Sequence, residues 1–242
     1  MKKQALKKDG SGATPDLAER YFRHLATQYT TPEGKVKQPA SGKYIDTLRQ
    51  LHDAYQPKID LSAWLAGTAP GFKGRVWFWS DLHFFHEMLV RHAYRPFASI
   101  AEMNDTLMRN CLSRVTAADI LVIGGDVTMG DVRATNALLR AIPAYKVNVL
   151  GNHDIEAREV LPLAVDELAP FLEFTFAEKS FFLTHYPVPE SVLRPGQINL
   201  HGHSHSARLS PALGSGARHI NMCVEYTEYA PVPLEWLLAQ PR

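Results

Sequence analysis

Arg75-Val-Trp-Phe-Trp-Ser80, followed at once by Asp81-Leu82-His83, is the stretch on which the fold of this chain turns. Six residues dominated by aromatic and β-branched side chains, with no polar alternation to mark a solvent side, read as a strand buried on both faces. The polar pair arrives where the strand stops. The same succession occurs twice more. Ile120-Leu-Val-Ile123 ends at Gly124-Gly125-Asp126, and Val147 to Leu150 ends at Gly151-Asn152-His153-Asp154. Helical signals lie between them. Ser99 with Glu102 forms a capping-box pattern, after which Ile100, Met103, Leu107, Cys111, Leu112 and Val115 share one helical face. Asp131 is placed to cap a helix through Leu139, closed by Pro143. Strand, polar turn, helix, repeated in this way, gives an α/β chain with a mainly parallel sheet. In such a sheet the ligand site lies at the carboxyl ends of the strands.

The second half is richer in strands. Phe171 to Phe176 and Phe181 to Thr184 form a hairpin about a Glu178-Lys179-Ser180 turn, Ile198 to His201 leads into Gly202-His203-Ser204-His205, and His219 to Glu225 is a further strand. Upstream of Arg75 the pattern is helical. Residues 1–13 are Lys/Gly/Ser-rich and read as a disordered tail. A helix is expected from Thr14-Pro15 to about Tyr29 on Leu17, Tyr21 and Leu25, then a loop from Thr30 to Gly42. A second helix runs from Lys43 to Tyr55 on Ile45, Leu48 and Leu51, and Asp60 caps a short third from Leu61 to Ala66. Gly67 to Gly74 is a linker. The chain therefore divides into a basic, mainly helical N-terminal extension, 1–74, and a main domain, 75–242.

With 242 residues, 45% hydrophobic and 21% charged, the chain has the composition of a globular protein. Its net charge of +1 conceals an asymmetry: residues 1–75 hold 13 Lys/Arg against 7 Asp/Glu, and the remainder 13 against 18. A solvated tail or docking of one part on the other accounts for this, with nucleic-acid affinity as the sharper alternative. No apolar region follows the N-terminal lysines and no run reaches the roughly 20 apolar residues of a membrane span. Cys111 and Cys223 suggest no disulfide framework. The expectation is a cytoplasmic protein.

Six short blocks of metal-ligand residue types recur down the chain: Asp81-Leu82-His83, Gly125-Asp126, Gly151-Asn152-His153-Asp154, His185, Gly202-His203 and His205. Imidazole and carboxylate together suit Mn²⁺, Fe and Zn²⁺, and the groups are numerous enough for two adjacent ions. Singly, each has a plainer reading: a packed or surface histidine for His83 or His185, a turn residue for Asn152, a polar loop for Gly202 to His205. Their order and their repeated place at strand ends outweigh those readings. Asp81 and His83, two residues apart in extended backbone, are placed to straddle one ion. Asp126 has enough lone pairs to serve two cations, and Asn152 offers a neutral amide oxygen. His153 can face the site without being a ligand. Asp154 either caps the following helix, the preferred reading, or orients His153. His86 is a cleft or surface residue, and Arg91 and Arg95 either hold a phosphate or sit as surface residues at a helix end. His24, His52, His92, His201 and His219 read as structural or exposed.

In this order the blocks resemble the calcineurin-like metallophosphoesterase superfamily, from Arg75 to about Glu235. The resemblance implies an αββα sandwich of two mixed sheets with flanking helices. It implies Asp81, His83 and His205 on one divalent metal, Asn152, His185 and His203 on a second, and Asp126 shared. Mn²⁺ is the first choice of metal, with Fe, Zn²⁺ or Ni²⁺ as alternatives. His153 is the implied catalytic residue, protonating the leaving group while a metal-bridging hydroxide attacks phosphorus in line. The Ser/Thr phosphatases of the superfamily carry Asp-x-His-Gly, Gly-Asp-x-Val-Asp-Arg-Gly and Gly-Asn-His-Glu. The corresponding Asp81-Leu-His-Phe84, Gly125-Asp126-Val-Thr-Met-Gly130 and Gly151-Asn-His-Asp154 lack the Asp-Arg-Gly element. This chain is more similar to the small prokaryotic and phage-type phosphoesterases, which implies hydrolysis of phosphodiesters of a small or nucleotide-like substrate. A nuclease fed by the basic N-terminal region, a phosphomonoesterase and, last, a non-catalytic scaffold are the alternatives.

Overall fold

The computed structural model describes residues 16–239 apart from 31–33, 35, 72, 93, 158–160 and 206–216. In chain order its elements are α1 (Leu17–Leu25), β1 (Tyr29–Thr30), β2 (Val36–Lys37), α2 (Gly42–Ala54), α3 (Leu61–Leu65), β3 (Val76–Trp79), α4 (Glu87–Arg91), α5 (Ile100–Leu112), β4 (Ile120–Ile123) and α6 (Val132–Ala141). There follow β5 (Tyr145–Val149), β6 (Glu167–Ala169), β7 (Leu172–Phe176), β8 (Lys179–Thr184), β9 (Ile198–His201), β10 (His219–Asn221), β11 (Val232–Pro233) and α7 (Leu234–Ala239). Local chemistry starts the helices as expected. Asp16, Ser41, Asp60, Ser99 and Asp131 each accept an N–H from their own first turn. Glu102 reaches back past Ser99 and accepts the Ala98 N–H at 2.7 Å, one residue before the N–H that a capping box uses.

Apart from β1 and β2, which pair with each other, the described strands form two mixed sheets. Five run in the order β11-β3-β4-β5-β6, all parallel except β11. Four run in the order β10-β9-β8-β7, with β7 antiparallel to β8. Side chains alternate across a strand, so each sheet has two faces to bury. Val76, Phe78, Val122 and Val147 of the first sheet meet Phe174, Phe181, Leu183 and Leu200 of the second. Trp77, Trp79, Leu121 and Ile123 point the other way, onto Met103, Leu107 and Cys111 of α5 and Leu139 of α6. On the outer face of the second sheet Phe182 packs with Leu17, Tyr21 and Phe22 of α1 and Tyr44 and Leu48 of α2. The layers are therefore helix, sheet, sheet, helix, and the N-terminal helices supply one of them. Burying side chains of this size stabilises by about 1.5–3 kcal/mol each.

Several expectations are corrected. The first helix stops at Leu25, and Tyr29 begins a two-stranded ribbon with Val36–Lys37 in what reads as loop. Thr14-Pro15 and the 1–13 tail lie outside the described residues. Leu112 is exposed, and the inward stripe of α5 ends on Cys111. The hairpin turn is Ala177-Glu178, both at positive φ, which matches strand twist in a two-residue turn; Lys179 and Ser180 are already paired in β8. The strand at His219 ends at Asn221. Cys111 and Cys223 are buried free thiols. Among the described residues no helix is long and apolar enough to cross a membrane.

Candidate metal centre

The polar blocks leave the carboxyl ends of β3, β4, β5, β8 and β9, which the parallel pairings bring level with one another. Backbone bonds fasten adjacent loops together: the Asp81 N–H donates to the Gly125 carbonyl at 3.0 Å and the His83 N–H to that of Asp126 at 2.9 Å. The Gly202 N–H donates to the His185 carbonyl at 3.0 Å. The backbone here is not the extended one expected for Asp81 and His83. Asp81, His83, Asp126, His203 and His205 all lie at positive φ, between 42° and 61°. For residues with a Cβ this costs about 1–3 kcal/mol each, and it persists only where surrounding structure holds it. Two glycines make the approach possible. A Cβ on Gly125 would meet His185 Nδ1 at 2.7 Å, and one on Gly151 would meet Asp126 Oδ1 at 2.2 Å.

Two triads result, Asp81 with His83 and His205, and Asp126 with His185 and His203, each with ligand atoms close enough to surround one metal ion. In the first, His83 Nε2 and His205 Nε2 are 3.2 Å apart and lie 3.9 and 3.7 Å from Asp81 Oδ1. In the second, His185 Nε2 is 3.3 Å from Asp126 Oδ2. The same oxygen is 3.6 Å from His83 Nε2, so Asp126 stands between the triads. Asn152 Oδ1 lies 3.0 Å from His185 Nε2, at the second triad.

The donor set fits divalent ions of the Mn, Fe and Zn kind on its own chemistry. His185 Nδ1 faces the Gly124 carbonyl at 2.9 Å and His205 Nδ1 faces Glu225 Oε1 at 2.8 Å. When each ring is neutral, a proton on Nδ1 toward that acceptor leaves Nε2 as the lone pair a metal ion would take. Without an ion the buried carboxylates and imidazoles shift one another. Burial opposes a charge on Asp126, yet His185, His83 and His153 hold its carboxyl well below the usual range. Burial and the neighbouring Asp126 push Asp81 up. Burial drives His83 and His203 well below the normal imidazole value. Against burial, Asp126 and Asp81 pull His185 up to about 9. Unpaired, these groups would be costly to keep so close together.

The remaining predicted residues sort out plainly. His153 is two-thirds buried by side chain, faces the centre with Nε2 3.9 Å from Asp126 Oδ2, and is anchored by its N–H on Asp126 Oδ1 at 2.9 Å. His86 also borders the centre, its ring 5.2 Å from that of His83 and 6.3 Å from that of His153. Among the described residues Asp154 neither caps a following helix nor hydrogen-bonds the His153 ring. It is buried and accepts from the N–H groups of Asp126, Val127 and Gly151 and from Asn148 Nδ2, locking two loops together. Arg95 is withdrawn as a phosphate contact: it is buried, donating to the Asp81 and Leu82 carbonyls and to Glu225. Arg91 is exposed and pairs with Glu87. His201 and His219 are buried structural residues, and His24 Nε2 donates to the Pro187 carbonyl at 3.2 Å. Glu225 and Tyr186, the latter stacked on His203 at 3.9 Å, escape sequence reading altogether. Tyr186 at least follows His185 directly; nothing in the chain links Glu225 to His205.

No family model matches the chain. It is 29% identical over 168 residues to the uncharacterized protein MJ1445 of Methanocaldococcus jannaschii, a match covering 68% of this chain and 89% of that protein. In fold it is similar to the protein of unknown function AQ665 from Aquifex aeolicus, with a TM-score of 0.56 and 25% identity over 68% of this chain and 98% of the other. These likenesses reach well beyond the site loops, and neither protein's name assigns an activity.

Proposed function

We propose that the chain is a dinuclear metal-dependent phosphoesterase with a calcineurin-like αββα sandwich, acting on phosphodiester bonds. The observation that carries this reading is the placement of the Asp126 carboxylate between two His/Asp triads, so that two cations would share one anionic ligand. Asp81, His83 and His205 would hold one ion, Asn152, His185 and His203 the other, with Asp126 bridging. Bound there, the two ions supply Lewis acidity toward phosphate oxygens and lower the pKa of a water. The chain's own residues do the rest. With Asp81 and Asp126 as its anionic ligands, a site holding two divalent ions stays net positive and draws a phosphate in. His153, held by its backbone N–H yet with its ring partly open to solvent, is placed to donate a proton to the departing alkoxide.

The test is hydrolysis of bis-p-nitrophenyl phosphate and p-nitrophenyl phosphate by chelator-stripped protein, with and without Mn²⁺. Mn²⁺-dependent cleavage that prefers the diester is expected. His153→Ala should cut turnover by about 10²–10⁴-fold with metal content unchanged, and Asp126→Asn should lose both. Two bound metals with neither ester cleaved would remove the enzyme reading.

A further inference from the structure

Two hollows open on either side of the Met129-Gly130 turn, and each has one histidine of the centre in its wall. The larger, about 510 Å³, is lined by Phe85, His86, Met88, Ile100 and Met129. The smaller, about 290 Å³, is lined by Met129, Val132, Asn152, His153 and Ala157. Those two histidine rings lie 5.2 Å (His86) and 5.3 Å (His153) from the ring of His83, so each hollow opens beside the first triad. The acidic groups of the two walls are Glu87, Asp131 and Glu156, and among the described residues no Lys or Arg lines either hollow. Two of the acidic side chains already hold a cation, Glu87 with Arg91 at 3.2 Å and Glu156 with Lys43 at 2.5 Å. Asp131 is taken up by the first turn of α6. Met88 and Met129, each 47% exposed, offer polarizable thioethers to whatever lies between them.

Resting on the phosphoesterase reading, we propose that these hollows are subsites for two organic groups of a phosphodiester that carry no charge of their own, apolar or aromatic, with Met129 the specificity-determining residue between them. A nucleic-acid strand is the opposite case. Its next phosphate would meet walls that present Glu87, Asp131 and Glu156 and, among the described residues, no lining Lys or Arg to release counterions against. Like charges brought together in a partly desolvated groove cost more than apolar contact returns.

The experiment is calorimetric titration of the full-length, Mn²⁺-loaded protein with diphenyl phosphate, with bis(4-carboxyphenyl) phosphate, and with inorganic phosphate. The first two share a shape and differ by two negative charges. Diphenyl phosphate is expected to bind about tenfold more tightly than its dicarboxylate, and Met129→Lys to narrow that ratio by about threefold or more. Equal or tighter binding of the dicarboxylate, or a ratio that Met129→Lys leaves unmoved, overturns the proposal. Inorganic phosphate bound without diphenyl phosphate also overturns it while leaving the metal-centre reading intact. Failure of all three ligands to bind removes that reading, and the subsites with it.

Discussion

Arg95 and Glu225 form a 2.8 Å ion pair behind the first triad, with the Arg95 side chain fully buried. The same carboxylate oxygen takes His205 Nδ1 at 2.8 Å, while the guanidinium reaches the Asp81 carbonyl at 2.6 Å and that of Leu82 at 2.9 Å. One buried cation thus steadies a metal-ligand histidine and the backbone of the ligand loop together. Arg95→Met leaves Glu225 buried beside a neutral thioether. Removing one partner of a buried pair costs about 3–5 kcal/mol. We expect that loss in urea unfolding, together with weaker metal retention on dialysis. Wild-type stability and metal content in the variant would mean that Glu225 and the loop hold themselves in place.

Gly151 admits no side chain. A Cβ there would fall 2.2 Å from Asp126 Oδ1 and 2.3 Å from the Asp126 nitrogen, so the shared carboxylate must move. Gly151→Ala is expected to destabilise by about 1–3 kcal/mol through overpacking and to lower metal content per chain. Metal analysis on the folded variant checks it; full occupancy would show that the Asp126 loop yields without losing its ligand geometry.

The site was legible from residue type and position, since Asp, His and Asn at the ends of buried strands have few other reasons to recur together. Its supports were not. A buried arginine is rare, so Arg95 before Pro96 reads as a surface or phosphate-binding residue until three partners enclose it. Left-handed backbone at Asp81 and His83 is imposed by bonds to Gly125 and Asp126 more than 40 residues away, which no local pattern announces. The amphipathic faces of α1 and α2 show that they must be covered, and do not show by what. Phe182 of the second sheet's outer face and Val188 in the loop after β8 answer that only in three dimensions.

Two histidines away from the metal centre should set part of the acid response. His24 Nε2 lies 3.2 Å from the Pro187 carbonyl and His219 Nε2 2.6 Å from that of Val188. Burial lowers the pKa of both. The unfolded chain, titrating near 6.5, then binds more protons than the native one. Their contribution to stability is present above about pH 6.5 and falls as pH drops from there toward the lowered native values. A His24→Gln/His219→Gln variant should lose less stability than wild type between about pH 7.5 and about pH 5.5 in parallel urea titrations. An equal loss in both would place the acid sensitivity elsewhere.

The N-terminal helices are expected to be part of the fold's stability rather than a removable appendage. Tyr44 of α2 donates its hydroxyl to the Leu150 carbonyl at 2.8 Å, immediately before Gly151-Asn152, and its ring lies 5.6 Å from that of Tyr186. Tyr44→Phe leaves that buried carbonyl without its donor and should cost about 1–3 kcal/mol. Deleting residues 1–66 goes further, uncovering Leu150, Ile155, Phe182 and Val188 on one face. A contiguous apolar patch of that kind drives association. The truncated chain should therefore aggregate or melt well below the full-length protein, as size-exclusion chromatography and thermal unfolding would register. A monomeric truncation with an unchanged melting temperature would show that the second sheet tolerates water on its outer face and that the helices merely rest against it.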